Sequence, residues 1–495
     1  MKKVHLLIIA ILVATSAFAG GYITPPTHFH RYQVTHQRNT LPDAYDTRTN
    51  NVVLAPRDQQ IEGTCWAFAV TDALQVLYYK NNIETGYLSP QSFATCFTGF
   101  NVAPITEGGN EQMAGSMMAR LEGIVTEDAL PYAPNNAACV SFDKKNTPMY
   151  TLGWNLLPAD DATAIKQNIM EYGSVTASFY YHRNYYNKTT GIYEYTGDNG
   201  VNHGITLIGW DDSKQAWLAK NNWGIYQFDN GYLWISYKDK LIASECVAYT
   251  DCTPTESIDR VYHYNSTGMV GTFGLDISGI LTDAIVQFDF EGNEQLVAIG
   301  TYVTEPGTKL AFTVITNDWQ QPYISDSATI AYKGFYKHVL PTPLPIAGKN
   351  YVAVTAIHPT EGYVIPIECT IPDYTQITPK ENKQWVAFDN SDWMPLGKGT
   401  EYPYNLCIYA YTKKGTTNGI NTPADYDKVF DGSSILSSAW ESVKSIRLYH
   451  INGKLIKTLT EQDDRLSDIS EGVYILSVDR KDGTTYGEKI VYQPK

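Results

Sequence analysis

The order of helix-like and strand-like segments most restricts the fold that this chain can adopt. Apolar residues recur every three or four positions in its first part, which predicts helices at residues 65–80, 90–95, 110–121 and 162–172. Shorter apolar runs typical of strands follow at residues 174–179, 205–210, 216–220 and 232–237. Helices that precede an antiparallel sheet indicate an α+β domain, which we place at residues 41–257.

The rest of the chain has the pattern of β domains. Residues 258–413 carry short β-rich runs between Gly, Pro and Asn-Asp breaks, which predicts an all-β sandwich or jelly roll with strands at residues 295–303, 309–316, 351–358, 362–370, 384–388 and 405–412. Residues 414–425 are rich in Thr, Asn, Gly and Pro and are predicted to be a linker. Residues 426–495 contain a hairpin signal at Asn452-Gly453 and predict a small C-terminal β-sandwich. We therefore expect a multidomain protein.

The N-terminal residues predict export. Residues 1–19 combine Lys2 and Lys3, an apolar core and the small-residue ending Ala17-Phe18-Ala19, which is the pattern of a cleaved signal peptide. No later stretch approaches the roughly 20 apolar residues that a helix needs to span a bilayer. The chain has 37 Lys and Arg against 52 Asp and Glu, and this acidic balance argues against a nucleic acid partner because no basic patch is available for phosphates.

A cysteine stands where coil is predicted to become the first helix. The unpaired N–H groups of a first turn and the positive end of the helix dipole favour thiolate over thiol. Cys65 is therefore a candidate nucleophile, and we expect its pKa to be lowered. Such a nucleophile needs a base, a group that orients the base, and donors for the oxyanion. His203, at the head of a strand, and Asn221, after the next strand, are the candidates for the base and its orienting group.

The segments around these residues resemble the papain-type cysteine peptidases. The likeness covers roughly residues 41–252 in the family's linear order, and it lies in residues 59–66, Leu88-Ser89-Pro90-Gln91, Gly108-Gly109, residues 123–127, Pro131-Tyr132, Asn202-His203-Gly204 and Asn221-Asn222-Trp223-Gly224. It implies attack of the Cys65 thiolate on a peptide carbonyl, with His203 as the base, Asn221 as its orienting group and Gln59 with the Cys65 N–H as oxyanion donors. It also implies a substrate cleft lined by Gly63, Gly108, Gly109, Asn202 and Trp223. Neither a cofactor nor a metal is expected.

The seven cysteines depart in part from the family pattern. Glu62 occupies the position three residues before Cys65 where the family usually has a cysteine, and its negative charge is expected either to raise the pKa of Cys65 or to select basic substrates. The resemblance implies a disulfide between Cys96 and Cys139. We also predict Cys246–Cys252 from their proximity and Cys369–Cys407 within the β domain.

The segment before the peptidase-like domain is much shorter than the inhibitory pro-domain usual in the family. Residues 20–40 are polar and contain Pro25, Pro26 and several histidines. Our hypothesis is that this leader lies across the substrate cleft until it is trimmed.

The two β domains resemble known accessory domains. Residues 365–370, 391–393 and 407–411 resemble the lectin-like domain that follows some bacterial papain-type peptidases, and Trp319, Trp385 and Trp393 could stack on sugar rings. Residues 446–455, 472–475 and 489–491 resemble a C-terminal sorting domain of type IX secretion. This resemblance implies a protein that is secreted or held at the outer surface of a bacterium.

The leading functional hypothesis is therefore an exported cysteine peptidase with an accessory β domain for substrate or surface binding. One alternative is a catalytically weak or inactive peptidase-like adhesin that binds glycans. Another is a transpeptidase or amidase that acts on wall peptides with the same catalytic residues.

Overall fold

The fold is taken from a computed structural model of the chain. The structure describes residues 21–26, 32–36, 40–95, 98–135, 138, 144–275, 279, 281–315, 323–324, 328–357, 363–389, 391–415, 429–430, 434–450, 455–461, 466, 469–470, 472–481 and 485–492. The predicted signal peptide, residues 416–425 of the predicted linker, the Asn452-Gly453 turn, Trp319 and the predicted Cys96–Cys139 bridge lie outside these residues.

The helix α1 (Cys65–Lys80) is the centre of the first domain. Its residues are buried from Cys65 through Tyr78 because helices and a sheet cover it on several sides. The other helices of the described residues are α2 (Pro90–Thr95), α3 (Glu111–Ala119) and α4 (Ala162–Tyr172). The predicted bounds of α1, α2 and α4 are confirmed. Helix α3 is shorter than predicted because Asn110 is its N-cap, with Oδ1 accepting the N–H of Met113 at 3.0 Å.

The predicted antiparallel sheet follows the helices. Its strands are β1 (Ala44–Asp46), β2 (Trp154–Leu156), β3 (Val175–Phe179), β4 (Tyr186–Asn187), β5 (Ile192–Tyr193), β6 (His203–Asp211), β7 (Ala216–Lys220), β8 (Tyr232–Ser236) and β9 (Cys246–Tyr249). Strand β6 pairs with β1, β3 and β7, and it packs against α1. It is buried from His203 through Trp210, and a strand covered in this way has a nearly continuous apolar sequence. The predicted α+β arrangement is confirmed.

The predicted all-β domain follows as a sandwich of a large and a small sheet. Its strands are β10 (Arg260–Tyr262), β11 (Gly271–Gly274), β12 (Leu281–Val303), β13 (Thr308–Ile315), β14 (Tyr323–Ile324), β15 (Ala328–Ile330), β16 (Lys333–Ile357), β17 (Tyr363–Glu368), β18 (Gln384–Phe388), β19 (Met394–Leu396), β20 (Asn405–Leu406) and β21 (Ile408–Lys414). The small sheet has the order β11-β17-β20. One apolar core, which includes Phe273, Phe312, Ile367 and Val386, lies between the sheets.

The prediction that all strands of this domain are short is wrong for two of them. Strands β12 and β16 have 23 and 25 residues and pair with each other along most of their length. The pairing shifts between Phe290 and Glu294, where Gly292 and Asn293 lie. A bulge of this kind takes up extra residues and bends a strand without ending it.

The C-terminal module has an apolar core of its own. Its strands are β22 (Val443–His450), β23 (Leu455–Leu459), β24 (Gly472–Arg480) and β25 (Thr485–Tyr492), and they form a sheet of order β23-β22-β24-β25. Val429, Phe430 and Trp440 cover the apolar face of this sheet. The sequence predicts a small β-sandwich at residues 426–495, of which the described residues show one four-stranded sheet.

Strand β2 joins the peptidase-like domain to the all-β domain. It pairs with β9 on one edge and with β16 on the other, so that the two sheets are continuous. The Trp154 ring is 4% exposed, stacks on Phe335 with ring centroids 4.6 Å apart, and contacts the edge of Tyr302. Tyr411 adds a hydrogen bond from its hydroxyl to the carbonyl of Ala119 at 2.8 Å. The two domains therefore share part of one core.

This shared core predicts that the two domains unfold together. Trp154→Ala should destabilise the protein by about 3–5 kcal/mol because it empties a buried site that both domains line. Calorimetry of the full chain should show one transition for the two domains, shifted to lower temperature. Trp393→Ala is the control, since Trp393 is 44% exposed and its loss should change stability by less than about 0.5 kcal/mol. A variant in which one domain melts early while the other keeps its midpoint would contradict this prediction.

Candidate active site

Cys65 is the first residue of α1 and is fully buried. Thr64 precedes it as the N-cap with no side-chain hydrogen bond to the helix, so the first turn keeps backbone N–H groups free of a side-chain cap. The structure thus places the predicted nucleophile at the predicted junction of coil and helix.

His203 reaches this helix because β6 begins directly beside it. Gly204 donates its N–H to Cys65 Sγ at 3.4 Å, and Thr206 Oγ1 donates to the carbonyl of Ala69 at 3.0 Å. A Cβ on Gly204 would lie 3.4 Å from the Cα of Trp66, so a glycine allows the strand to come this close. The residue after the predicted base therefore contacts the predicted nucleophile.

Asn221 lies beside His203 under an aromatic cover. His203 Nε2 and Asn221 Oδ1 are 2.9 Å apart, and both residues are buried. The Trp223 ring stacks on the imidazole with centroids 4.3 Å apart and planes 20° apart. The tryptophan covers this hydrogen bond and holds the imidazole plane parallel to its own.

Asn222 stands in the motif Asn221-Asn222-Trp223-Gly224, but no role for it was predicted from the sequence. Its Nδ2 donates to the carbonyls of Cys65 at 3.2 Å and Gly204 at 3.0 Å, so one buried amide ties the helix start to the strand start. Tyr132 has a similar function on the other side of the loop, since its hydroxyl bonds to Gln59 O at 2.8 Å and to Thr64 Oγ1 at 2.7 Å. In the sequence, the sign of these two roles was a polar side chain next to the motif residues.

Gln59 lies in the loop that leads to Cys65. Its N–H donates to Asn222 O at 2.8 Å and its Nε2 donates to Glu62 O at 2.7 Å. Its Oε1 is buried without a hydrogen-bond partner. The side-chain amide is therefore held next to the nucleophile loop by one of its two N–H groups, and the second remains available to a bound group.

The predicted cleft residues divide into two sets. Gly63, Gly108 and Gly109 face the chain segment of residues 21–26, and the backbone of Ile23 donates to Gly109 O at 3.0 Å. Asn202, in contrast, bonds through its side chain to the backbone of Tyr181, with distances of 2.7 and 3.1 Å. Asn202 thus fixes the turn before His203. Residues 21–26, which are part of the predicted leader, therefore lie against Gly63, Gly108 and Gly109.

The pKa values of the two central groups follow from this cover. Burial raises the pKa of Cys65 to about 12, against the opposing hydrogen bond from Gly204. Burial also lowers the pKa of His203 to about 4, against the hydrogen bond to Asn221. The expected lowering of the Cys65 pKa is therefore wrong for the covered site, in which thiol and imidazole are both neutral at pH 7. The carboxylate that adds to the raised pKa of Cys65 is Glu111.

Two of the predicted disulfides are wrong. Cys246, Cys252, Cys369 and Cys407 are free thiols. Cys246 packs into the core beneath the first sheet, whereas Cys252 packs against the core around α1. Strands β17 and β20 pair Ile367 with Leu406. In this register Cys369 and Cys407 lie at different positions along the strands and do not face each other. Proximity in sequence does not bring thiols to bonding distance when they face different cores.

Within the described residues, no cluster of three or more His, Cys, Asp and Glu side chains is arranged to hold a metal ion. Across the same residues, no helix has the length and apolar character that crossing a membrane requires.

Comparison with known families agrees with this architecture. The family model described as papain family cysteine protease matches residues 41–253, and the model described as lectin like domain matches residues 261–412. The chain is 29% identical over 226 residues to a probable cysteine protease of Arabidopsis thaliana, RD21C, covering 44% of this chain and 49% of that protein. It is also 29% identical over 197 residues to cathepsin S of Bos taurus, covering 39% of this chain and 59% of that protein. The chain thus covers less than two thirds of the length of either relative.

A solved structure shares both domains. The cysteine protease and lectin-like domains of Cwp84, a surface layer associated protein of Clostridium difficile, superpose with a TM-score of 0.66 at 22% identity, covering 77% of this chain and 91% of that chain. At this identity the likeness concerns the fold. The chain therefore has a papain-like domain followed by a large all-β lectin-like domain.

We expect the Trp223 ring to keep the pKa of His203 low by excluding water from the imidazole. Trp223→Ala should raise the pKa of His203 from about 4 toward the ordinary value of about 6.5, because water would reach the imidazole. NMR titration of the histidine ring protons measures this value, and His203→Ala identifies the signal. Trp393→Ala is the matched control and should leave the titration unchanged. An unaltered pKa in Trp223→Ala would show that the tryptophan is not what keeps the imidazole dry.

Proposed function

We propose that this chain is an exported cysteine peptidase that hydrolyses peptide bonds through an acyl-enzyme. Residues 41–253 form a papain-type cysteine peptidase domain. The observation that carries the proposal is the set of contacts at the start of α1, in which His203 is bonded to Asn221 at 2.9 Å while the N–H of Gly204 rests on Cys65 Sγ at 3.4 Å. One imidazole is thus bonded to one amide, and the residue that follows the imidazole contacts the sulfur, in a buried site.

The hydrogen bond between His203 and Asn221 supports a separate role for each nitrogen of the imidazole. Its Nε2 is bonded to Asn221, so Nδ1 is the nitrogen that exchanges a proton with Cys65. Cys65 Sγ, as thiolate, forms a bond to the peptide carbonyl carbon, and the C–N bond then breaks as imidazolium gives its proton to the leaving amine. Gln59 and the N–H of Cys65 stabilise the tetrahedral oxyanion. Water then hydrolyses the thioester, which returns the thiol and releases the new carboxylate.

Residue substitution tests these roles. Because Tyr22 lies over the nucleophile, all variants are compared in a Tyr22→Ala background. Cys65→Ala should abolish both casein cleavage and labelling by an epoxide inhibitor. His203→Ala should lower kcat/KM by about 10²–10⁴-fold and Gln59→Ala by about 10²-fold, since the first loses proton transfer and the second loses an oxyanion donor.

Cys252→Ala is the control for this test, because Cys252 is a half-buried free thiol away from the site. It should keep cleavage and labelling. A Cys65→Ala variant that still cleaves casein would overturn the assignment. Labelling of Cys65 without any cleavage would favour the alternative of an inactive adhesin, and transfer of the acyl group to an added amine would assign a transpeptidase.

A second function is proposed for the lectin-like domain, which is carbohydrate binding. Trp393 is 44% exposed beside β19, whereas Trp385 is half-buried and near Tyr351. An exposed tryptophan offers a flat face on which a sugar ring can stack. Trp393→Ala should abolish binding on a glycan array, and Trp223→Ala, in the other domain, should keep it. Equal glycan binding by both variants would contradict the proposal.

We propose a surface or secreted location from the signal-peptide pattern of residues 1–19 and from the resemblance of the C-terminal module to a type IX sorting domain. The related Cwp84 is itself described as associated with a surface layer. On this proposal the secretion machinery is a partner of the C-terminal module.

A further inference from the structure

Residues 21–26 lie in the cleft and pair with it through one isolated β-bridge at Tyr22. The N–H of Gly109 donates to Gly21 O at 3.2 Å, and the N–H of Ile23 donates to Gly109 O at 3.0 Å, so Tyr22 pairs with Gly109 in parallel. Asn110 Nδ2 adds a third bond, to Ile23 O at 2.8 Å. Backbone hydrogen bonds of this kind hold a segment in place whatever its side chains are.

Gly21 is pressed between two walls of the cleft. A Cβ on Gly21 would lie 2.5 Å from the backbone carbon of Gly63, and a Cβ on Gly108 would lie 2.3 Å from the backbone carbon of Gly21. Gly21 also has a φ of +64°, which a glycine adopts easily. Since Gly63 is two residues before Cys65, the segment closes the approach to the nucleophile, and Cys65 is fully buried.

The Tyr22 side chain fills a pocket beside Cys65. It is 7% exposed and belongs to the same apolar cluster as Cys65 and Trp66. Its ring would lie 3.2 Å from a Cβ on Gly204, the residue whose N–H contacts the Cys65 sulfur. The position is therefore one that a substrate side chain next to the reacting carbonyl would take.

The floor of this pocket is acidic. The Tyr22 hydroxyl lies 2.7 Å from Glu111 Oε2 and 3.3 Å from Glu245 Oε2, and Ser178 Oγ lies 3.4 Å from Glu245 Oε2. Within the described part of the chain, no basic side chain contributes to the pKa of either carboxyl group, and Glu111 Oε1 is buried without a hydrogen-bond partner.

The uncharged phenol of Tyr22 does not match the charge of the two carboxyl groups at the floor of this pocket. Burial, together with the nearby Glu111, raises the pKa of Glu245 to about 7, and burial raises the pKa of Glu111 as well. Two buried carboxyl groups without a cation are costly, and a positive charge between them would be stabilised by both. A phenol supplies one hydrogen to the pair and no charge.

We propose that the pocket filled by Tyr22 is the principal specificity pocket of the peptidase, that it selects a Lys or Arg side chain of the substrate, and that residues 21–26 inhibit the enzyme by occupying it. This inference rests on the proposed peptidase function and names its substrate class and its regulation. The acidic residues responsible are Glu111 and Glu245, whereas Glu62, the acidic residue singled out by the sequence, lies outside the pocket contacts of Tyr22.

The occupancy of the pocket is tested on the full chain without any measurement of peptidase activity. The rate at which iodoacetamide alkylates Cys65, mapped by mass spectrometry, reports how often the segment leaves the cleft. Tyr22→Glu should raise this rate at least about tenfold because a third carboxylate is placed beside two others. Tyr22→Lys should alkylate no faster than the wild type, because its ammonium group pairs with both carboxylates.

Tyr226→Glu is the control for the alkylation test, since Tyr226 is 94% exposed, and it should leave the rate unchanged. Equal alkylation rates for Tyr22→Glu and Tyr22→Lys would overturn the acidic-pocket assignment. A wild-type rate equal to that of Tyr22→Glu would overturn the inhibition.

The substrate class is tested in the Tyr22→Ala full chain with peptide libraries that fix Lys, Arg, Leu or Tyr at each position. Peptides with Lys or Arg at one position should be cleaved at least about tenfold faster than those with Leu there. Glu111→Gln combined with Glu245→Gln should remove this preference, and Glu245→Gln alone should reduce it if the double variant does not fold. Glu62→Gln is the matched control and should keep the preference.

Measuring peptide binding distinguishes a failure of the pocket assignment from a failure of the proposed peptidase function. In Cys65→Ala combined with Tyr22→Ala, the Lys peptide should bind at least about tenfold more tightly than the Leu peptide. Tight Lys binding with no cleavage by the Tyr22→Ala protein would leave the pocket assignment standing and remove the peptidase. Cleavage without any preference for a basic residue would remove the pocket assignment and leave the peptidase.

Discussion

The candidate active site depends on the close approach of one strand to the start of one helix. Gly204 at the head of β6 has no side chain, so β6 can lie against the first turn of α1 with an N–H on the Cys65 sulfur. The amide of Asn222 ties the two elements together through the carbonyls of Cys65 and Gly204. With these contacts in place, the backbone itself brings His203 and Asn221 to the start of α1, where both are buried.

The same site is shielded from water by two parts of the chain. Trp223 stacks on His203 and covers its hydrogen bond to Asn221. Residues 21–26 cover Cys65 and are held there by backbone hydrogen bonds to Gly109. The raised pKa of Cys65 and the lowered pKa of His203 describe this covered state, in which burial disfavours the charged form of both groups.

The lectin-like domain is part of this arrangement because its core is continuous with that of the peptidase domain. Strand β2 pairs with both sheets, and Trp154 packs between them. Ile23, next to Tyr22, also packs against the core of the lectin-like domain, and Tyr374 of that domain bonds to Asn110 at the cleft. The second domain therefore helps to hold the segment that closes the first.

The sequence by itself determined the bounds of α1, α2 and α4 and the order of a papain-like and an all-β domain, and it singled out Cys65, His203, Asn221 and Gln59 as candidates, because local periodicity and motif residues are properties of short segments. It could not determine that β12 continues through a bulge as one strand, or whether the predicted cysteine pairs meet. Strand register and the choice of core are set by packing between distant segments. Only the tertiary structure brought Tyr22, Glu111 and Glu245 together, since three residues so far apart in the chain become one pocket only when the cleft is closed around them.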